Sequence, residues 1–448
     1  MEDGPPGGLT TSERLKLLKK HEASWKNLEW NEHTTIPLPE GLLWELYGNV
    51  WAHSRGRDTI EFVQLPSRLR GIPMRQWTLR FDYDLRDFGM DPSQDLLVTI
   101  ESFRNSPNLC RIQLRTLSTG EKHPLAGSTA IVEHTLTVPE EVILARWSCS
   151  IRVHADYVGI LFAEHSEDRN ELVVWSWRTG IRKLLVLSAN LRSFVFLGDN
   201  FILGSTLEPP ALLVYTLERR PAGGATYAET HLLRFLFGRR FRSIMELLLT
   251  SDPSPGWLPS AGLQVPFQIA GDERIIAMNL QLYYSREGLF QCETVLIPAK
   301  TLLGQIENRP IKDGYDVDWE SCGPHFMEHV PEHGEWDVWT CFVFGMRYIQ
   351  PRVDHLRGKS IMIVRDIYPR RCLRASEEER EQSNALYQNT RMTWSSAQSH
   401  PRSILKCAPL PESIQDPQNV NLMISEDGIV ARERNTVTGQ VLIHLLTF

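Results

Sequence analysis

The chain predicts an all-β fold, a β-propeller of about seven degenerate, WD-repeat-like four-stranded blades behind a short N-terminal helix. Three observations carry this. Ser148–Leu187 reads as four short strands joined by tight turns, with apolar residues on both faces. A sheet apolar on both faces needs a neighbour on each side, which a propeller supplies. A unit made of an acidic turn and an apolar strand recurs at His154–Leu161, Leu197–Leu203, Ala270–Ala277 and Ser425–Ala431. Thr-Gly turns recur at Thr119-Gly120, Thr179-Gly180 and Thr438-Gly439, where a hairpin needs a positive φ. The first two lie about 60 residues apart, and that period fits about seven units between Leu42 and Phe448.

In chain order, residues 1–9 are Gly/Pro-rich and predict a mobile N-terminus. Residues 10–30 hold a helix that docks on the main domain. Thr10 and Glu13 form its capping box, and Leu15, Leu18, Glu22 and Trp25 share a stripe. Residues 31–448 form the propeller domain, with a polar insertion around 375–399. Leu42–Ala52 and Thr59–Leu65 predict a hairpin, and Trp77–Phe81, Asp95–Glu101 and Leu109–Leu117 further strands. Glu229–Ser251 fits strands or a short helix, and Pro298–Glu307 a short helix between blades.

The bulk composition narrows the function classes. In 448 residues, 42% are apolar and 23% charged, as in a folded globular protein. A net charge of −7 argues against a nucleic-acid binder. No apolar run approaches the roughly 18 residues of a membrane span, and the N-terminus lacks the apolar core of a secretory signal. The seven cysteines are scattered without a C-x-x-C pair, which predicts reduced thiols and an intracellular, cytoplasmic or nuclear, location.

No motif marks a catalytic, cofactor-binding or metal residue. His325, His329 and His333 recur every four residues, as zinc ligands on a helix would, but Pro331 interrupts that helix and no H-E-x-x-H is present. Asp82, Asp84, Asp87, Asp91 and Asp95 alternate with turn residues and read as loop aspartates. No G-x-S-x-G elbow or phosphate-binding glycine loop occurs. Basic clusters at Arg68–Arg70, Arg239–Arg242 and Arg365–Arg374 read as the rim of a protein-binding face. The tryptophans, Trp175 and Trp177 among them, read first as packing residues between blades.

Several segments resemble the F-box proteins of mushroom-forming (basidiomycete) fungi: Glu13–Trp25, Gln64–Gly71, Phe88–Val98, Leu114–Leu125 and Glu171–Gly180. In that family an F-box precedes such a region, docks a Skp-type adaptor and brings a substrate to a cullin-based ubiquitin ligase. Here only Met1–Thr10 precede the first shared segment, and the stretch after Leu38-Pro39 is strand-like, so the F-box itself is absent from the pattern. The resemblance implies a non-catalytic protein-interaction module, a ubiquitin-ligase substrate receptor lacking its adaptor-binding part. Its expected partner is a protein, with no cofactor, nucleic acid or membrane. The alternative expectation is a propeller hydrolase or lyase with titratable residues converging at the central channel mouth.

Overall fold

The computed structural model describes residues 2–3, 8–38, 41, 43–101, 108–137, 147–164, 170–218, 231–237, 244–259, 265–271, 273–284, 289–309, 314–319, 328–332, 342–354, 359–368, 375–389, 403–415, 419–435 and 439–448. Its sheets form seven antiparallel blades, as the repeat predicts. Each blade is described from its innermost strand outward. Blade 1 holds Trp44–Tyr47, Val50–Arg55, Thr59–Gln64 and Arg75–Arg80. Blade 2 holds Leu85–Asp91, Leu96–Glu101, Leu109–Thr116 and Ile131–Thr135. Blade 3 is the meander that the sequence displays most openly: Trp147–His154, Tyr157–Glu164, Asn170–Ser176 and Ile181–Ser188.

Blade 4 runs through Leu191–Gly198, Phe201–Leu207, Pro210–Thr216 and Leu233–Leu236, and Tyr315–Asp318 adds a parallel edge strand. Blade 5 holds Ile244–Thr250, Ile275–Tyr284, Leu289–Pro298 and Glu328–Glu332. Blade 6 holds Val343–Phe344, Arg347–Asp354, Lys359–Asp366 and Ile404–Pro409. Blade 7 takes Val420–Ile424, Gly428–Arg434 and Val441–Thr447 from the C-terminus. Its outer strand, Glu32–Leu38, comes from the other end of the chain. That strand pairs from Glu32 with Thr447 to Leu38 with Val441, so backbone hydrogen bonds between the two chain ends close the ring.

Two local expectations are corrected. Leu42–Ala52 is not one strand: Gly48 (φ 53°) and Asn49 (φ 62°) turn it into a hairpin. Both φ values are positive, as the tightest hairpin turn requires. The closing strand Glu32–Leu38 was not foreseen either, because EHTTIPL is largely polar and lies at an outer edge.

Apolar side chains fill the space between blades, as the two-faced strands demand. Between blades 2 and 3, Val98, Ile112, Ile151, Ile160, Trp175 and Trp177 share one cluster. Leu161, Leu172, Phe194 and Tyr215 join blades 3 and 4. Blade contact is close enough that a Cβ on Gly89 would lie 2.7 Å from Ile151 Cγ2.

The N-terminal helix, Thr11–Asn27, starts at the expected capping box, with the Glu13 N–H donating to Thr10 Oγ1 and the Thr10 N–H to Glu13 Oε2. Its docking face differs from the expected stripe. His21, Ser24 and Trp25 are buried and Leu15 is exposed. Trp25 decides this: its ring stacks on Phe448 at 4.1 Å, and the Arg347 guanidinium lies 4.4 Å from the ring centroid. Within the polar insertion, Glu377–Asn389 is a helix; residues 390–402 lie outside the described residues.

Candidate active site

Neighbouring blades meet through their first strands, so the strand set Trp44–Tyr47, Leu85–Asp91, Trp147–His154, Leu191–Gly198, Ile244–Thr250, Val343–Phe344 and Val420–Ile424 surrounds the axis. At the ends where these strands finish, residues 251–257 cross from blade to blade. The Gly345 N–H of blade 6 donates to the Asp252 carbonyl at 2.7 Å. The Ser254 N–H donates to Tyr47 Oη of blade 1 at 3.0 Å, and the Ser254 hydroxyl donates to the Val153 carbonyl of blade 3 at 2.5 Å. Trp257 is buried edge-on to Phe344.

Beneath this crossing Arg274 is fully enclosed. Its Nη1 donates to Ser251 Oγ at 2.9 Å, and its Nη2 donates to the carbonyls of Phe196, at 2.8 Å, and Leu197. Burial pulls Arg274 down to about 10, against the pull of Tyr47, Asp252 and Asp199. Burial also lowers His154 to about 4, although Asp199 opposes it. This end of the axis is therefore a plug tied by hydrogen bonds from Arg274 and Ser254.

The other end of the inner strands is built differently. Three of the seven carry a register shift near their start: between Leu85 and Asp87, between Leu191 and Ser193, and between Ile244 and Glu246. A bulge takes its extra residue out of the strict alternation that would point it at the next blade. The residues so released are Arg86, Arg192 and Met245, and Met245 is 55% exposed. Arg192 Nε is buried without a hydrogen-bond partner.

Between bulges and plug lie Glu45 of blade 1, Asp87 of blade 2 and Arg152 of blade 3, on three successive inner strands. Burial pushes Glu45 up to about 8; Arg152 pulls it back, and Asp252 and Asp87 push it further up. Burial also raises Asp87 to about 7, against a 2.8 Å hydrogen bond from the Phe88 N–H and the guanidinium groups of Arg86 and Arg152. Glu45 Oε2 and Arg152 Nε are buried with no hydrogen-bond partner, while both residues remain half-exposed as wholes. Groups enclosed by protein yet reached by solvent are what a channel wall presents. Two buried carboxyls pushed up to about 7 and about 8, beside a cation, form an acid–base set.

The aspartate run is thereby divided. Asp87 and Asp91 belong to an inner strand, not to the loop the sequence suggests. Asp91 accepts from the Ser93 N–H and Asp95 from the Ser118 N–H, both in turns. Of the histidine run, His329 lies in the outermost strand of blade 5, and His325 and His333 fall outside the described residues. Among the described residues no group of three or more His, Cys, Asp or Glu could hold a metal ion. Arg70 leaves the proposed basic rim altogether: it is buried, with Nη1 2.7 Å from Glu426 and 2.6 Å from Asp427. Glu45 was missed because WELY reads as an ordinary strand. Only the convergence of inner strands singles it out.

No family model and no curated protein sequence matches the chain. Among solved structures it is similar to an uncharacterized protein from Listeria monocytogenes (9% identity, 58% of this chain and 63% of that one, TM-score 0.30). It is also similar to a mutant of the Synechocystis apocarotenoid oxygenase (10%, 66% and 65%, TM-score 0.30). A third is the dihydro-heme d1 dehydrogenase NirN (8%, 73% and 63%, TM-score 0.28). The chain spans 55–65% of the length of the solved structures it is similar to. Two of the three are enzymes; the correction to the expected non-catalytic, F-box-like interaction module rests on this chain itself. The physical reason lies in this chain's own inner strands, which bring titratable groups together where a purely structural axis would carry small or apolar ones. At these identities and scores the likeness transfers no chemistry to this chain.

Proposed function

We propose that the chain is a propeller hydrolase or lyase working by general acid–base catalysis on a small anionic substrate, which enters at the end of the axis where the inner strands start. The observation that carries this reading is the convergence of Glu45, Asp87 and Arg152 on three successive inner strands. At neutral pH Glu45 keeps its proton and can give it to a leaving group. Asp87, near its midpoint, can take one from a water or from an acidic C–H of the substrate. Water as the nucleophile gives hydrolysis; loss of the C–H proton gives elimination. Arg152 holds the anionic group, and Arg192 extends the positive rim. The net charge of −7 leaves a small molecule, rather than a nucleic acid, as the ligand of this reading.

Among the described residues no helix is long and apolar enough to cross a membrane. Cys110 and Cys149 are buried thiols, and burial pushes Cys110 up to about 11, which suits the reducing interior of a cell.

The test is turnover of a panel of carboxylate-bearing glycosides and esters, followed by acid release and by new ultraviolet absorbance from unsaturated product. Glu45→Gln and Asp87→Asn should each lose about 10²–10⁴-fold in kcat with unchanged melting. Arg152→Met should act mainly on KM. Absence of turnover across the panel, or variants as active as the parent, would overturn the reading.

A further inference from the structure

Blade 7 holds a second chemical constellation, far from the inner strands. His444, on the strand Val441–Thr447, is fully buried. Its Nε2 lies 3.0 Å from Glu433 Oε2 on the adjacent strand. Glu433 is itself buried, and its other oxygen accepts from the Gln415 N–H at 2.8 Å. A carboxylate held in this way requires a proton on Nε2 of the imidazole, which leaves the Nδ1 lone pair free to accept. Three donors surround that lone pair: Ser413 Oγ at 3.3 Å, Thr35 Oγ1 at 3.3 Å and His33 Nε2 at 3.4 Å.

Ser413 and Thr35 are exposed, so a buried carboxylate and imidazole are aimed at surface hydroxyls. This is the order of groups that activates a nucleophile: a hydroxyl, a base against it, and an acid orienting the base. The two hydroxyls differ in reach. Thr35 is a secondary alcohol in the outer strand, paired directly with His444. Ser413 is a primary alcohol in the turn between blades 6 and 7, a turn closed by the Ile414 N–H to the Pro411 carbonyl at 3.0 Å and anchored by the buried Ile414 side chain.

We propose that Ser413, His444 and Glu433 form a surface esterase site, with Ser413 as nucleophile, His444 as general base and Glu433 as the residue that positions it, acting on carboxylic esters. Ser413 Oγ attacks the ester carbonyl carbon as His444 Nδ1 takes the hydroxyl proton. The bond to the alcohol oxygen breaks, and that oxygen leaves with the proton from His444. Water then attacks the acyl–Ser413 ester by the same route, releasing the carboxylic acid and restoring the serine. This site is independent of Glu45 and Asp87, so either can fail without the other.

The full chain is treated with a fluorophosphonate probe, the labelled residue is located by peptide mass spectrometry, and hydrolysis of 4-nitrophenyl acetate is followed in parallel. The expected result is a single label on Ser413. Ser413→Ala, at an exposed position that does not threaten folding, should abolish it, and Thr35→Val should keep it. His444→Gln should slow labelling by about 10²-fold, with its melting checked alongside. Glu433→Gln should slow labelling, because the carboxylate that orients His444 is gone, and Glu433→Asp should recover part of that rate. No label, a label on Thr35, or equal labelling of Ser413→Ala overturns the proposal.

Discussion

Replacing Arg70 by alanine should destabilise the protein strongly at neutral pH, and less so in mild acid. Arg70 lies in the segment between the third and fourth strands of blade 1. Its Nη1 contacts both Glu426, at 2.7 Å, and Asp427, at 2.6 Å, in the first turn of blade 7. Its side chain and both carboxyls are only 1% exposed. Asn49 Nδ2 donates to Asp427 at 2.7 Å and the Ile269 N–H to Glu426 at 2.9 Å. His21 of the N-terminal helix stands 3.6 Å from Asp427. Removing the guanidinium leaves two adjacent buried carboxyls without the cation that both contact, a change that costs about 3–5 kcal/mol when a buried pair loses one member.

The pH dependence comes from the two shifts. Burial opposes ionisation of Asp427, but Arg70 and His21 outweigh it and hold the carboxyl below its usual range. Asp427 therefore stabilises the parent above an unfolded value of about 3.9, and that contribution is lost as pH falls through its lower folded value. Glu426 is raised by burial and by Asp427, against Arg70, so it has the opposite sign: stability falls as pH climbs from about 4.3 through its raised value. Without Arg70 both carboxyls move up, and protonation relieves the variant as pH falls from 7 to 5. Urea unfolding of parent and variant at these two pH values reads the difference. A variant within about 1 kcal/mol of the parent at pH 7, or a deficit equally large at pH 5, would overturn this expectation.

Trp25→Ala should cost about 3–5 kcal/mol, since it removes a 1% exposed ring stacked on Phe448 and beneath Arg347; a loss below about 1 kcal/mol on denaturant unfolding would mean the helix is not docked through this residue. Gly89→Ala places a Cβ against Ile151 and should cost about 1–3 kcal/mol, with Ile151→Ala in the same chain returning part of it; additive losses in the double variant would contradict the close blade contact. Tyr47→Phe removes the acceptor of the Ser254 N–H and should lower stability by about 1–3 kcal/mol and raise hydrogen exchange in residues 251–257, while unchanged exchange would show that the plug does not depend on it.

The propeller was legible because its physics is local. Ile160, Leu172, Val173 and Val174 announce a sheet apolar on both faces, and Gly120 and Gly180 mark turns at a recurring offset with positive φ. Seven blades follow from chain length and that offset. The closing strand Glu32–Leu38 was hidden because an outer edge strand faces solvent and needs no apolar pattern. Gly48-Asn49 was hidden because the flanking strands read as one run. The candidate site was hidden for a deeper reason. Glu45, Asp87 and Arg152 sit in three separate blades, and no sequence spacing records that their strands converge. Asp87 also lies in an acid-rich stretch whose composition resembles a loop, and only the inner-strand pairing with Ile100 removes it from one. Arg70 shows the reverse case: a cluster that looks like a basic surface donates its last residue to a buried ion network.

The sharpest test of an acid–base site on the inner strands is the titration of Glu45 itself. Carboxyl signals of the folded parent and of Glu45→Gln are followed by isotope-edited NMR from pH 4 to 9, and the signal lost in the variant is Glu45. A midpoint near 8 is expected, lowered in Asp87→Asn, because the Asp87 charge helps to raise it. A Glu45 midpoint in the ordinary carboxylate range, about 4.3, would contradict an acid–base role for this residue.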